Sequence, residues 1–93
     1  MKKHEELLFQ VLYYAHKTKY PANGSFVSVR AICELLSDLD FIPHKRIIYY
    51  LKKWLKLGFY DYGVSLLNGW LILDKIPERY LQTIHQKYGG RFI

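Results

Sequence analysis

Leu7, Leu8, Val11, Leu12 and Ala15 recur at intervals of three and four, so the pattern predicts a helix over about 3–17 with one packed side. Glu5 and Glu6 near its start, and Lys17 and Lys19 at or just past its end, complement the helix dipole. Phe9 and Tyr13 fall on the opposite side and need a second cover, from a later helix or from a partner. Tyr20-Pro21-Ala22-Asn23-Gly24-Ser25 is turn chemistry, because proline fixes one dihedral and Asn-Gly tolerates positive φ. Phe26-Val27 reads as a very short strand. Ser28 then suits the N-cap of a short helix over about 29–36, with Ile32, Leu35 and Leu36 facing inward. Ser37-Asp38-Leu39-Asp40 breaks that pattern, and Phe41 and Ile42 supply apolar anchors.

The most strongly patterned stretch runs from Ile42 to Gly58. Pro43 suits a first helical turn, where its missing N–H costs nothing, and Gly58 can take the left-handed conformation that ends a helix. At about 100° per residue, Ile47, Ile48, Leu51, Trp54 and Leu55 fall on one side. Lys45, Tyr49, Lys52, Lys53 and Lys56 fall on the other.

Beyond Gly58 the pattern changes to a β-rich run over about 59–73 around Asn68-Gly69, the strongest short hairpin signal. A two-residue turn there would place Leu67 opposite Trp70, Leu66 opposite Leu71 and Val64 opposite Leu73. Pro77 opens a last helix over about 78–88, with Tyr80, Leu81, Ile84 and Tyr88 in one stripe and Gly89-Gly90 as its stop. That stripe could cover Phe9 and Tyr13. With no repeat, linker or low-complexity segment, the chain reads as a single domain over 1–88 and a short tail over 89–93.

Composition narrows the class. Ninety-three residues with 51% apolar content support one core. No apolar run approaches the roughly 20 residues of a membrane span, and Met-Lys-Lys-His-Glu-Glu opens without a signal-like segment, so a soluble, cytoplasmic protein without membrane association is expected. A lone Cys33 excludes a disulfide framework or a thiolate cluster. The net charge of +6 is concentrated, since residues 41–60 carry five Lys or Arg and no Asp or Glu. Such a balance favours polyanionic partners, although acidic proteins and lipid headgroups also fit.

Helix, short strand, short helix, longer basic helix and two-stranded hairpin is the order of a winged helix-turn-helix. Over roughly residues 5–74 the chain resembles the small winged-helix domains of phage and plasmid replication proteins. Tyr14-Ala15, Gly24, Phe26, Ser28, Ile32-Cys33, and Lys52 to Gly58 with Leu55 and Gly58 in register carry the resemblance. It implies a mainly α fold with a small β-hairpin (α+β): a three-helix core, a two-stranded wing and a C-terminal helix. It also implies DNA binding in the replication or transcription of a mobile element. Two departures bear on mechanism. Pro43-His44-Lys45-Arg46 stands where relatives usually open the recognition helix with Ser or Thr, and no Lys or Arg lies between Tyr60 and Leu73, where relatives commonly carry one.

The candidate DNA-binding residues are therefore Lys45, Arg46, Lys52, Lys53 and Lys56 for phosphates, with Tyr49 and His44 approaching bases. Double-stranded DNA is the first expectation. Single-stranded DNA is the second, because Tyr49, Tyr50, Tyr60 and Tyr62 on or beside the basic helix could stack unpaired bases. Leu66, Leu67, Trp70, Phe9 and Tyr13 are surplus apolar surface and candidates for binding a protein partner or a second copy. This supports an alternative reading, a subunit that docks on a larger nucleic-acid enzyme such as a polymerase, primase or helicase. His4, His16, His44 and His85 are scattered without ligand neighbours, so no metal is expected. With no paired acid and base and no phosphate-cradling glycine loop, neither catalysis nor a cofactor is expected.

Overall fold

The computed structural model describes residues 1–18 and 28–88. Among the described residues four α-helices and one short two-stranded antiparallel sheet follow in the order α1 (Lys3–Thr18), α2 (Val29–Asp38), α3 (His44–Leu57), β1 (Tyr60–Tyr62), β2 (Gly69–Leu71), a 3-10 turn (Leu73–Lys75) and α4 (Glu78–Tyr88). The protein is thus mainly helical with a small β component. The loop expected at Tyr20 to Ser25, the strand at Phe26-Val27 and the stop at Gly89-Gly90 lie outside the described residues.

Local chemistry sets the element ends. Ser28 is the N-cap of α2, its hydroxyl accepting from the Ala31 N–H at 3.1 Å. Pro43 occupies the N-cap of α3, one position before its expected place, and its carbonyl accepts from the Arg46 and Ile47 N–H groups. Gly58 ends α3 at φ 96°, and the Phe59 N–H reaches back to the Trp54 carbonyl at 3.2 Å. The Pro77 carbonyl accepts from the Tyr80 and Leu81 N–H groups in the first turn of α4.

The interior face of α3 is Ile47, Tyr50, Leu51 and Trp54. Tyr50 replaces Ile48 and Leu55 of the expected stripe: Ile48 is half-buried and Leu55 sits at the exposed border. Phe9 of α1 is fully buried, in mutual ring contact with Trp54, Phe59 and Tyr80 at centroid separations of 5.4 to 6.3 Å. Tyr80, carried by α4, is the cover that the α1 pattern requires. Tyr13 is half-buried beside Phe9, with Lys17 over its ring.

The hairpin differs from its sequence reading. Tyr60 pairs with Leu71, Asp61 with Trp70 and Tyr62 with Gly69, so Gly69 is a strand residue and residues 63–68 form the connection. The expected pairs of Leu67 with Trp70, Leu66 with Leu71 and Val64 with Leu73 do not form. Three tertiary constraints set the longer loop. The buried Tyr60 hydroxyl donates to the Leu66 carbonyl, and Arg30 of α2 donates to Ser65 Oγ and Asn68 Oδ1, both at 3.1 Å. Gly69 lies so close to Tyr60 and the Asp61 carbonyl that any Cβ there would collide with them.

A candidate nucleic-acid interface on helix α3

The same periodicity that buries Trp54 and Leu51 turns the other side of α3 to solvent. His44, Lys45, Arg46, Tyr49, Lys52 and Lys56 are all exposed. No carboxylate among the described residues lies within ion-pair distance of Lys45, Arg46, Lys52 or Lys56, so their charges act outward. Exposed ammonium and guanidinium groups on aliphatic stems suit a polyanion's phosphates.

Lys53 belongs elsewhere. Its Nζ lies 3.1 Å from Glu5 Oε1, and the Glu5 side chain is almost wholly buried. Glu5 Oε2 accepts from Trp54 Nε1 at 2.9 Å and from the Tyr80 hydroxyl at 2.6 Å, so one carboxylate joins α1, α3 and α4. Burial alone would raise its pKa, but the bonds from Tyr80, Trp54 and Lys53, together with the Lys53 charge, outweigh that and hold it below the usual glutamate value. Tyr80 shifts oppositely, pushed up to about 12 by burial and by its bond to the Glu5 carboxylate. Charged Glu5 and neutral Tyr80 therefore form one unit at neutral pH. Lys53 is a structural cation at the edge of the basic face.

Between the side chains of α3 lies a shallow trough of about 480 Å³ lined by Tyr49, Lys52, Lys53, Lys56 and Leu57. Tyr49 is 59% exposed, and its ring meets that of Tyr50 at 71° with 5.4 Å between centroids. Tyr50 and Tyr60 are buried, and Tyr62 is half-buried, so Tyr49 is the one of these four that offers a ring to solvent.

The expected partner face is not assembled. Phe9 is in the core, Tyr13 is half-buried, and Leu66 and Leu67 pack against the core, whereas Trp70 remains 44% exposed. Phe9 is thereby removed from the candidate surface. A different apolar group is exposed instead: Leu35, Leu39 and Phe41, each more than half accessible where α2 turns toward α3. Sequence periodicity assigned Leu35 to the interior, but the buried stripe of α2 is Val29, Ile32, Cys33 and Leu36.

Two further residues escaped sequence reading. Arg30 brings a guanidinium to the hairpin loop, which has no cation of its own. His16 is buried, its Nε2 accepting from the Leu71 N–H at 3.2 Å while Nδ1 faces the Leu12 carbonyl at 2.8 Å. This arrangement requires a neutral ring protonated at Nδ1 and ties α1 to β2. The hairpin partners of Arg30 and His16 lie 35 to 55 residues along the chain, so no local signal could reveal them. Cys33 is buried, and its thiol is pushed up to about 12 by burial and by nearby Glu34, which makes it a packing residue. Among the described residues no group of three or more His, Cys, Asp or Glu could hold a metal, and no helix is long and apolar enough to cross a membrane. No protein-family model, curated protein or solved structure matches the chain.

Proposed function

We propose that this chain is a small winged helix-turn-helix DNA-binding protein, with α3 as its recognition helix and the β1–β2 hairpin as its wing. It serves as an accessory or regulatory factor in mobile-element replication or transcription, a role that rests on the sequence resemblance. The observation that carries the binding reading is the outer face of α3, where Lys45, Arg46, Lys52 and Lys56 are exposed, with no ion-pair partner among the described residues, around His44 and Tyr49. An α-helix fits the major groove, where those cations would neutralise phosphates on either side. Arg30 supplies a positive charge to the wing that the wing's own residues lack. Phosphate affinity outweighs base readout in this set, because lysine offers a point charge and few discriminating hydrogen bonds.

The test is charge reversal at Lys52 and Lys56. Lys53 is unsuitable, because a second carboxylate there would face buried Glu5 and disturb the fold. The double variant K52E/K56E should keep its circular dichroism spectrum and lose duplex binding by more than tenfold. In the milder K52A/K56A, the slope of log K against log salt should shrink by about 0.9 per lost phosphate contact. Unchanged binding across a salt titration would refute the proposal.

A second reading, a subunit that docks on a polymerase, primase or helicase, is favoured by the exposure of Leu35, Leu39 and Phe41 together with Trp70. Binding of a purified candidate enzyme should weaken when Leu39 and Phe41 are changed to Ser. A complex that survives those changes, and also survives Trp70→Ser, would exclude these surfaces.

A further inference from the structure

We infer that the trough between Tyr49 and Leu57 is a stacking site for an unpaired nucleobase, which lets the α3 face hold single-stranded segments as well as duplex. The inference rests on the reading of α3 as a nucleic-acid face and specifies what that face holds.

Tyr49, Lys52, Lys53, Lys56 and Leu57 stand at positions i, i+3, i+4, i+7 and i+8, which places them on one side of the helix. They line a shallow, open trough of about 480 Å³. Tyr49 and Leu57 are the apolar members of that lining, about 12 Å apart along the helix axis, so the Tyr49 ring alone serves as the stacking floor. Both are exposed, at 59% and 43%, and the edge-on contact with buried Tyr50 supports the Tyr49 ring in place. Ordering such a ring on binding therefore costs little rotamer entropy.

Charge selects the occupant. Lys53 is offset by Glu5, whereas Lys52 and Lys56 have no ion-pair partner among the described residues and bring two positive charges to the same lining as the Tyr49 ring. A flat ring joined to phosphates matches that combination, since the ring covers the floor while the phosphates meet the ammonium groups. A paired base keeps its faces inside the duplex stack and presents only polar edges, for which an apolar floor has no hydrogen-bond partners. An unpaired base presents its face.

The test measures binding of intact protein to a short fluorescein-labelled oligothymidylate, to an abasic oligonucleotide with the same number of phosphates, and to a duplex. The wild-type chain should bind oligothymidylate more tightly than the abasic strand. Tyr49→Ala should weaken oligothymidylate binding about 5- to 150-fold, the range for losing one base–aromatic stack, while changing abasic-strand binding less than twofold. Tyr49→Phe should retain wild-type affinity. Oligothymidylate binding within twofold of wild type in Tyr49→Ala, or equal wild-type affinity for the thymidylate and abasic strands, would overturn the stacking site. Were duplex binding still abolished by K52E/K56E in those cases, the broader reading of α3 would stand. Absence of binding to all three probes would refute both.

Discussion

Replacing Glu5 should separate stability from nucleic-acid affinity, because this residue both holds the core together and draws Lys53 away from the basic face. Its carboxylate receives three donors, from Trp54, Tyr80 and Lys53, and is almost wholly buried. A hydrogen bond to a charged group contributes about 1.5–3 kcal/mol and a neutral one about 0.5–1.5. In Glu5→Gln the single amide oxygen can still accept from Trp54 and Tyr80, but both bonds become neutral and Lys53 swings to solvent. Relief from burying a charge offsets part of that loss, leaving an expected destabilisation of about 1–3 kcal/mol. Glu5→Ala leaves the Trp54 N–H unpaired beside a cavity and should cost about 3–5 kcal/mol, a large share of the roughly 5–14 available to a domain of this size. Urea unfolding followed by tryptophan fluorescence measures both variants.

The same substitution should raise affinity for nucleic acid in the folded protein, because released Lys53 adds an outward cation. The salt slope of Glu5→Gln should steepen by up to about 0.9. Acid adds an independent check. The folded-state pKa of Glu5 lies below its unfolded value, so its stabilisation is present above the ordinary glutamate pKa of about 4.3 and is lost as pH falls through the lower folded value. The stability gap between wild type and Glu5→Gln should therefore narrow below about pH 4. A Glu5→Gln protein within 0.5 kcal/mol of wild type at neutral pH, or a gap that widens in acid, would refute this account.

Two other changes probe the packing. Gly69→Ala should destabilise by about 1–3 kcal/mol, since the new methyl group meets the Tyr60 ring and the Asp61 carbonyl; urea unfolding within 0.5 kcal/mol of wild type would show that the hairpin adjusts freely. Cys33, with its thiol pushed up to about 12, should react with iodoacetamide at pH 8 far more slowly than a free thiol and accelerate in urea; native labelling at the free-thiol rate would place it outside the core.

Features decided within one turn of chain were legible in the sequence. The Ser28 cap, the Gly58 stop and the extent of α3 depend on neighbours within a few residues, and they lie within one position of the expected places. The outward direction of Lys45, Tyr49, Lys52 and Lys56 follows from the same periodicity. The hairpin register was not legible. Asn68-Gly69 is a strong local turn signal, but the Tyr60 hydroxyl, the Arg30 guanidinium and the contact of Gly69 with Tyr60 outweigh it, and Arg30 comes from α2, at sequence separations of 35 and 38. The role of Glu5 was equally hidden. A glutamate in a first turn is well explained by the helix dipole, and partners 48, 49 and 75 residues away leave no trace in the local pattern.

These long-range contacts also redistribute charge in a way that bears on the proposed interface. Composition places five cations in one segment and none in the hairpin, which reads as a basic helix beside a wing without cations. Folding moves one charge in each direction: Glu5 offsets Lys53 on α3, and Arg30 places a guanidinium against Ser65 and Asn68 of the hairpin loop. Positive charge is consequently spread over two elements, with Lys45, Arg46, Lys52 and Lys56 on the helix and Arg30 beside the hairpin. If one nucleic acid spans both, Arg30→Ala should lower the salt slope by up to about 0.9 without touching the Tyr49 trough. An unchanged slope in that variant would confine binding to α3 and leave Arg30 as a brace for the loop.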